Sequence, residues 1–196
     1  MTEKLYPGYY YHIYNRGNNR ENIFYLEKNY QYFLENFYKY LSGYLDIYTY
    51  CLLSNHFHFL IKIKENDSIT SSDGIDKIIS EQFRRFFLGY SQAINIQQNR
   101  TGSLFQKNFK RKRINKNDYL YRIIYYIHLN PVLHKICTSF EDYPFSSYGI
   151  ILSNKPTKIK RNKVLALFRN KKEFFKFHQM RLTEKEEFKN FEFNRD

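Results

Sequence analysis

From Leu52 to Ile63 the chain alternates with the period of a strand: Phe57, Phe59, Ile61 and Ile63 share one face, and His56 and His58 share the other. The apolar row sets the register and turns both imidazoles away from the layer it buries, so the pair is expected to be displayed. Leu45 to Leu53 reads as the preceding strand, with Ser54-Asn55 as a short hairpin turn. Tyr9 to Asn15 is β-prone, and Arg16-Gly17-Asn18-Asn19-Arg20 behind it has turn composition with two cations. Helical spacing appears three times. Tyr30, Phe33, Leu34, Phe37, Tyr38 and Leu41 form one stripe, ended by Gly43. After a flexible loop at Ser68 to Gly74, Ile75, Ile78, Ile79, Phe83, Phe86, Phe87, Tyr90 and Ile94 form a longer one. The third carries Leu120, Ile123, Ile124 and Ile127, with Asn117 and Asp118 as caps and Pro131 expected to stop it near Asn130.

These elements fill residues 1–150, which are expected to form the main domain. Residues 151–196 hold basic stretches and two short helical patterns, Val164 to Phe168 and Phe174 to Phe177, and read as a small basic helical extension whose end, from Arg181, is charge-mixed.

Charge then narrows the partners. Thirty-two Lys and Arg against 19 Asp and Glu give a net +13, which favours a polyanion, nucleic acid ahead of an anionic membrane surface. Leu104 to Ile114 sets Lys107, Lys110, Arg111, Lys112 and Arg113 among Phe105 and Phe109, a basic ribbon with ring faces for stacking; its alternative is an edge strand guarded by lysines. Arg16 and Arg20 offer a backbone-phosphate loop, or a solvated turn. No run approaches a membrane span, and the two cysteines, Cys51 and Cys137, lack metal-site spacing and suit a reducing cytoplasm.

A His-x-His pair alone is weak evidence: with 6 histidines in 196 residues, chance supplies about 0.2 of them. The third helix strengthens it. At 100° per residue Tyr126 and Asn130 lie on the same flank, one turn apart, and can address one point in space, whereas Tyr125 falls on the outer side and is the weaker nucleophile candidate. A cation held by His56 and His58 and completed by the Asn130 amide oxygen would keep positions open for phosphate oxygens and water, which suits attack by a tyrosine hydroxyl on a phosphodiester. His12, His134 and His178 have no spacing that assigns them a role, and His128 is expected to pack or hydrogen-bond.

Five motifs occur in order: Asn15-Arg16-Gly17, Ser54-Asn55-His56-Phe57-His58, Gly102-Ser103-Leu104-Phe105-Gln106, Tyr126-Ile127-His128-Leu129-Asn130-Pro131 and Tyr143-Pro144-Phe145-Ser146-Ser147-Tyr148. By these the chain resembles the HUH single-tyrosine transposases, nearest the REP-associated tyrosine transposases, from about Tyr9 to Tyr148. The resemblance implies an α+β, ferredoxin-like antiparallel sheet with helices packed on it. It implies a Mg²⁺- or Mn²⁺-dependent enzyme that cuts and rejoins hairpin-forming single-stranded DNA, with His56, His58 and Asn130 as metal ligands and Tyr126 as nucleophile. Many insertion-sequence members of the family have Gln where this chain has Asn130; the shorter amide requires a closer helix or leaves the third position to water. Relatives act as homodimers that exchange the tyrosine helix or as monomers, and both remain open. The second functional reading is a domesticated relative that grips structured nucleic acid without cutting it.

Overall fold

In the computed structural model, which describes residues 3–65, 72–115 and 117–180, the alternating runs become four strands: β1 (Tyr10–Arg16), β2 (Leu45–Leu53), β3 (His56–Ile63) and β4 (Lys110–Ile114). All neighbours pair antiparallel, in the order β2-β3-β1-β4. The helix α1 (Glu27–Leu41) joins β1 to β2, and α2 (Ser72–Gln97) joins β3 to β4. Chain order and strand order together make the expected ferredoxin-like α+β fold. Ser72 to Gly74, read from sequence as loop, already belong to α2; the rest of that loop, like the tail from Arg181, lies outside the described residues.

Both helices cover the face that carries Phe57 and Phe59. Phe33 and Phe37, four apart on α1, project from one side of the helix; Phe37 stacks on Phe59 at 4.2 Å between centroids, and Phe33 meets Phe57 at 5.1 Å and Phe86 of α2 at 4.8 Å. All five rings are fully buried, and aromatic burial of this kind dominates the energetics of a core. The spacing of the stripes thus fixes which sheet face this layer occupies.

The opposite face is also covered, and here the expectation of a displayed histidine pair fails. The helix α3 (Asn117–Leu133) lies across it, leaving His56 only 7 % and His58 only 6 % exposed. The apolar stripe of α3 needs a surface to pack on, and the second sheet face supplies it. Nor does α3 stop near Asn130. Pro131 sits inside the helix, where it removes one N–H but leaves the helical φ intact. The helix ends just beyond, where Lys135 adopts φ 58° and its N–H bonds Val132 while that of Ile136 bonds Pro131, a Schellman-type close. In the basic ribbon, only Lys110–Ile114 is a strand; the part before it is loop, tied by a single bridge between Gly17 and Phe105.

Beyond α3 the chain forms α4 (Tyr148–Leu152), α5 (Arg161–Leu167) and α6 (Lys171–Met180). Phe168, Phe174 and Phe177 from this region surround Tyr121, Tyr125 and His128 on the outer flank of α3. Tyr125, expected on the outer side, is therefore fully buried. A chain of hydrogen bonds crosses the same region. The His178 Nδ1–H donates to the Phe174 carbonyl at 2.8 Å, so His178 Nε2 accepts from His128 Nδ1–H at 2.9 Å; His128 Nε2 in turn accepts from the Ser147 hydroxyl at 2.9 Å, and that oxygen accepts the Tyr50 N–H of β2. This arrangement satisfies every ring nitrogen with both imidazoles neutral, and the Ser147 hydroxyl has the Tyr50 carbonyl at 3.2 Å as its other acceptor. Among the described residues no helix is long and apolar enough to cross a membrane.

Burial pushes His178 down to about 3 and His128 well below the usual histidine range. Unfolded, both take protons near their ordinary value of about 6.5. Their stabilising contribution is therefore complete above that pH and is lost as pH falls toward 3, at up to about 1.4 kcal/mol per pH unit per group. Thermal melts across this range should show acid destabilisation that His178→Leu makes shallower, with a cost at neutral pH of about 1–3 kcal/mol from the orphaned His128 donor. Equal acid slopes in variant and parent would contradict the assignment.

Candidate active site

The hairpin turn and the first strand assemble the site from below. Ser54-Asn55 is a two-residue connection, so His56 opens β3 directly beside it. The Asn55 side chain divides its amide: Nδ2 donates to the Arg20 carbonyl at 3.2 Å, and Oδ1 accepts from His56 Nδ1 at 2.6 Å. That fixes the proton of His56 on Nδ1 and leaves Nε2 as the lone-pair nitrogen. The loop carrying Arg16 and Arg20 is locked to the same turn, since Gly17 N–H bonds the Asn55 carbonyl at 2.8 Å. A Cβ on Gly17 would lie 2.0 Å from the Glu21 carbonyl oxygen, so no other residue fits.

The cross-strand register brings a third imidazole. His58 pairs with Tyr14 and Leu60 with His12, so β1 presents His12 to the same face; its Nε2 lies 2.9 Å from His58 Nδ1, with the rings stacked at 5.1 Å. His12 is fully buried and is pushed down to about 3 by that burial and by Lys112. Burial, His134 and Arg16 push His56 to about 3 as well, and the Asn130 amide, close to the ring, opposes part of that fall. Burial first, then His12 and His56, holds His58 well below the usual histidine range. All three rings are neutral at physiological pH, which is the form that binds metal.

From above, α3 contributes Tyr126 and Asn130. The Tyr126 ring meets His58 edge to face at 5.6 Å and His12 at 6.0 Å, and is 3 % exposed. Asn130 is completely buried and donates Nδ2 to the Tyr126 carbonyl at 2.8 Å. Its Oδ1 and the Nε2 of His56 are buried polar atoms without a hydrogen-bond partner, an arrangement that costs free energy unless something electron-poor is bound between them. Among the described residues no group of three or more His, Cys, Asp or Glu side chains is set to hold a metal ion. A cation at the histidine pair thus needs a ligand of another kind, and the amide oxygen of Asn130 has the right chemistry for Mg²⁺ or Mn²⁺.

His134, one turn past Asn130 on the same flank, is exposed, with its ring 4.6 Å from that of His56. Sequence reasoning gave neither His12 nor His134 a role. The alternation Tyr10, His12, Tyr14 on β1 and the spacing of four from Asn130 were the signals, though neither is interpretable without the strand register. Tyr125 points to the other flank of α3, among Phe140, Phe177 and His178.

The basic residues separate. Arg16 sits opposite His56 and acts electrostatically on both histidines of the pair, and Arg20 is exposed in the turn behind it. Lys110 shares the histidine face, opposite Tyr14, and Lys107 is exposed. Arg111 and Arg113 point to the other face. Arg111 is bound by Asp76 at 3.1 Å and Ser80 at 3.0 Å, and Arg113 lies beside Glu3 and over Tyr9. A cleft of about 780 Å³ on that side, between α2 and the 102–109 segment, is lined by Lys107 and Arg111 and by none of the imidazoles.

Comparison with known proteins agrees with this architecture. The structure of a REP-associated tyrosine transposase bound to a REP hairpin is similar over 81 % of this chain and 88 % of that one, with a TM-score of 0.58 and 20 % sequence identity. No curated protein matches. The model of the family described as IS200-like transposase matches residues 6–130, a span that holds all four strands, the three imidazoles, Tyr126 and Asn130. The chain belongs to the IS200-like transposase family.

Proposed function

We propose that this transposase cleaves and rejoins hairpin-forming single-stranded DNA through a 5′-phosphotyrosine intermediate on Tyr126. One observation carries the reading: two orphaned buried atoms, Nε2 of His56 and Oδ1 of Asn130, beside a histidine pair on which Tyr126 packs. His56 and His58 would hold a divalent cation, Mg²⁺ or Mn²⁺, through Nε2, with Asn130 as third ligand. When bound, that cation would draw charge from the scissile phosphate. The Tyr126 oxygen forms the bond to phosphorus as the bond to the 3′ oxygen breaks; the phenol gives up its proton and the leaving 3′ oxygen gains one. Attack by a 3′-hydroxyl reverses the step without an outside energy source. For His58 to offer Nε2 its proton must sit on Nδ1, and neutral His12 is the acceptor that holds it there. Arg16, Arg20 and Lys110 would guide the strand at the histidine site, while Lys107 lies with Arg111 in the cleft on the other side and the carboxylate-bound Arg111 and Arg113 are set in another layer.

Incubation with labelled hairpin DNA and Mn²⁺, followed by denaturing electrophoresis, tests the reaction. A covalent adduct is expected, and Tyr126→Phe should abolish it while leaving hairpin affinity unchanged. DNA retention without an adduct across varied flanking sequences would assign a binding role instead.

His12→Ala should weaken Mn²⁺ binding about 10- to 100-fold, read by the electron-paramagnetic-resonance signal of free Mn²⁺ without any DNA. Unchanged affinity would show that His58 is aimed without His12.

A further inference from the structure

Three lysines converge on one carboxylate at the end of the sheet away from His56. Asp46, near the start of β2, has its oxygens 3.8 Å from Lys64 Nζ, 3.3 Å from Lys160 Nζ and 3.7 Å from Lys163 Nζ. Lys39 and Lys158 line the adjoining hollow of about 500 Å³ with Glu35 and Tyr38, and the Lys158 ammonium sits 5.0 Å over the Tyr38 ring. Five cations thus face two carboxylates. Half-exposed ion pairs of this kind contribute little stability, and packing alone would not gather so much like charge. The lysines on Asp46 are 38 to 59 % exposed; Lys64 follows β3, and Lys160 and Lys163 stand at the start of α5, and with Lys158 and Lys39 they spread over a surface that suits an extended run of phosphates better than one small anion.

Position identifies the run. Asp46 pairs with Lys62, six residues along β3 from His56 and on the face that carries His58, so at about 3.3 Å per residue the cluster lies roughly 20 Å from the histidines. That is about six base pairs of duplex. Lys158, Lys160 and Lys163 lie beyond the residues 6–130 matched by the family; they are held on the sheet edge by the Lys160 N–H bond to the Ile47 carbonyl at 2.8 Å and by buried Ile159.

We infer that the lysines around Asp46 grip backbone phosphates of the duplex stem of the hairpin while its single-stranded foot occupies the histidine site. The inference rests on the hairpin reading of the substrate. Binding is therefore measured by fluorescence anisotropy in EDTA, where no strand is cut, using hairpin DNA and a stemless strand of the same flank across a range of salt. For the triple variant Lys158→Gln, Lys160→Gln, Lys163→Gln the hairpin salt dependence should flatten by roughly 2–3 in the log-log slope, with binding of the stemless strand unchanged. Asp46→Asn removes the opposing charge and should tighten hairpin binding. The inference is overturned by an unchanged slope, by equal loss on the stemless strand, or by an Asp46→Asn protein that melts as the parent does yet binds no tighter. If the slope responds but no Tyr126 adduct ever forms, the stem grip stands and the cutting reaction falls; the reverse pattern removes the grip alone.

Discussion

Burying two imidazoles between a sheet and a helix is tolerable only if each ring stays neutral and each Nδ1 finds a partner. The arrangement around the site follows from that demand. Asn55 serves His56 and His12 serves His58, and each partner comes from a place the fold had to build for other reasons: the hairpin turn and the neighbouring strand. Nε2 of His56 and Oδ1 of Asn130 are among the buried polar atoms left without a hydrogen bond, and the Asn130 amide lies close to the His56 ring.

Periodicity revealed the layer beneath the sheet and concealed the layer above it. The stripes of α1 and α2 and the row Phe57, Phe59, Ile61, Ile63 are regular because they meet one another, and β2 lies at Leu45 to Leu53, where alternation placed it. The histidine face carries polar residues at strand spacing, so it reads as solvent-facing although α3 covers it. Tyr125 was misplaced for a related reason: α3 is buried on two sides, by the sheet and by α5 and α6, and a two-sided helix has no outer face to predict. Pro131 was over-read as a stop because the rule concerns an average proline, while here only one hydrogen bond is lost near the end of the helix.

The candidate site was half legible. His56, His58, Tyr126 and Asn130 stand together as their spacing and family pattern suggested. His12 lies 46 residues before His58 in sequence, and only the antiparallel register of β1 against β3 makes them neighbours. The basic ribbon shows the opposite failure. Its residues are contiguous, but strand alternation sends Lys110 and Lys112 to one face and Arg111 and Arg113 to the other, where Asp76 and Glu3 bind them. Charge counted along the chain therefore overstated the charge open to a ligand.

The divided amide of Asn55 narrows how this scaffold can diversify. One short side chain closes the loop that bears Arg16 and Arg20 and also aims the first imidazole of the pair. Aspartate would lose the donor to Arg20, and glutamine would carry the acceptor a methylene too far. New DNA preferences must therefore arise at the tips of the arginine loop or along the outer edges of the molecule, with position 55 left as it is.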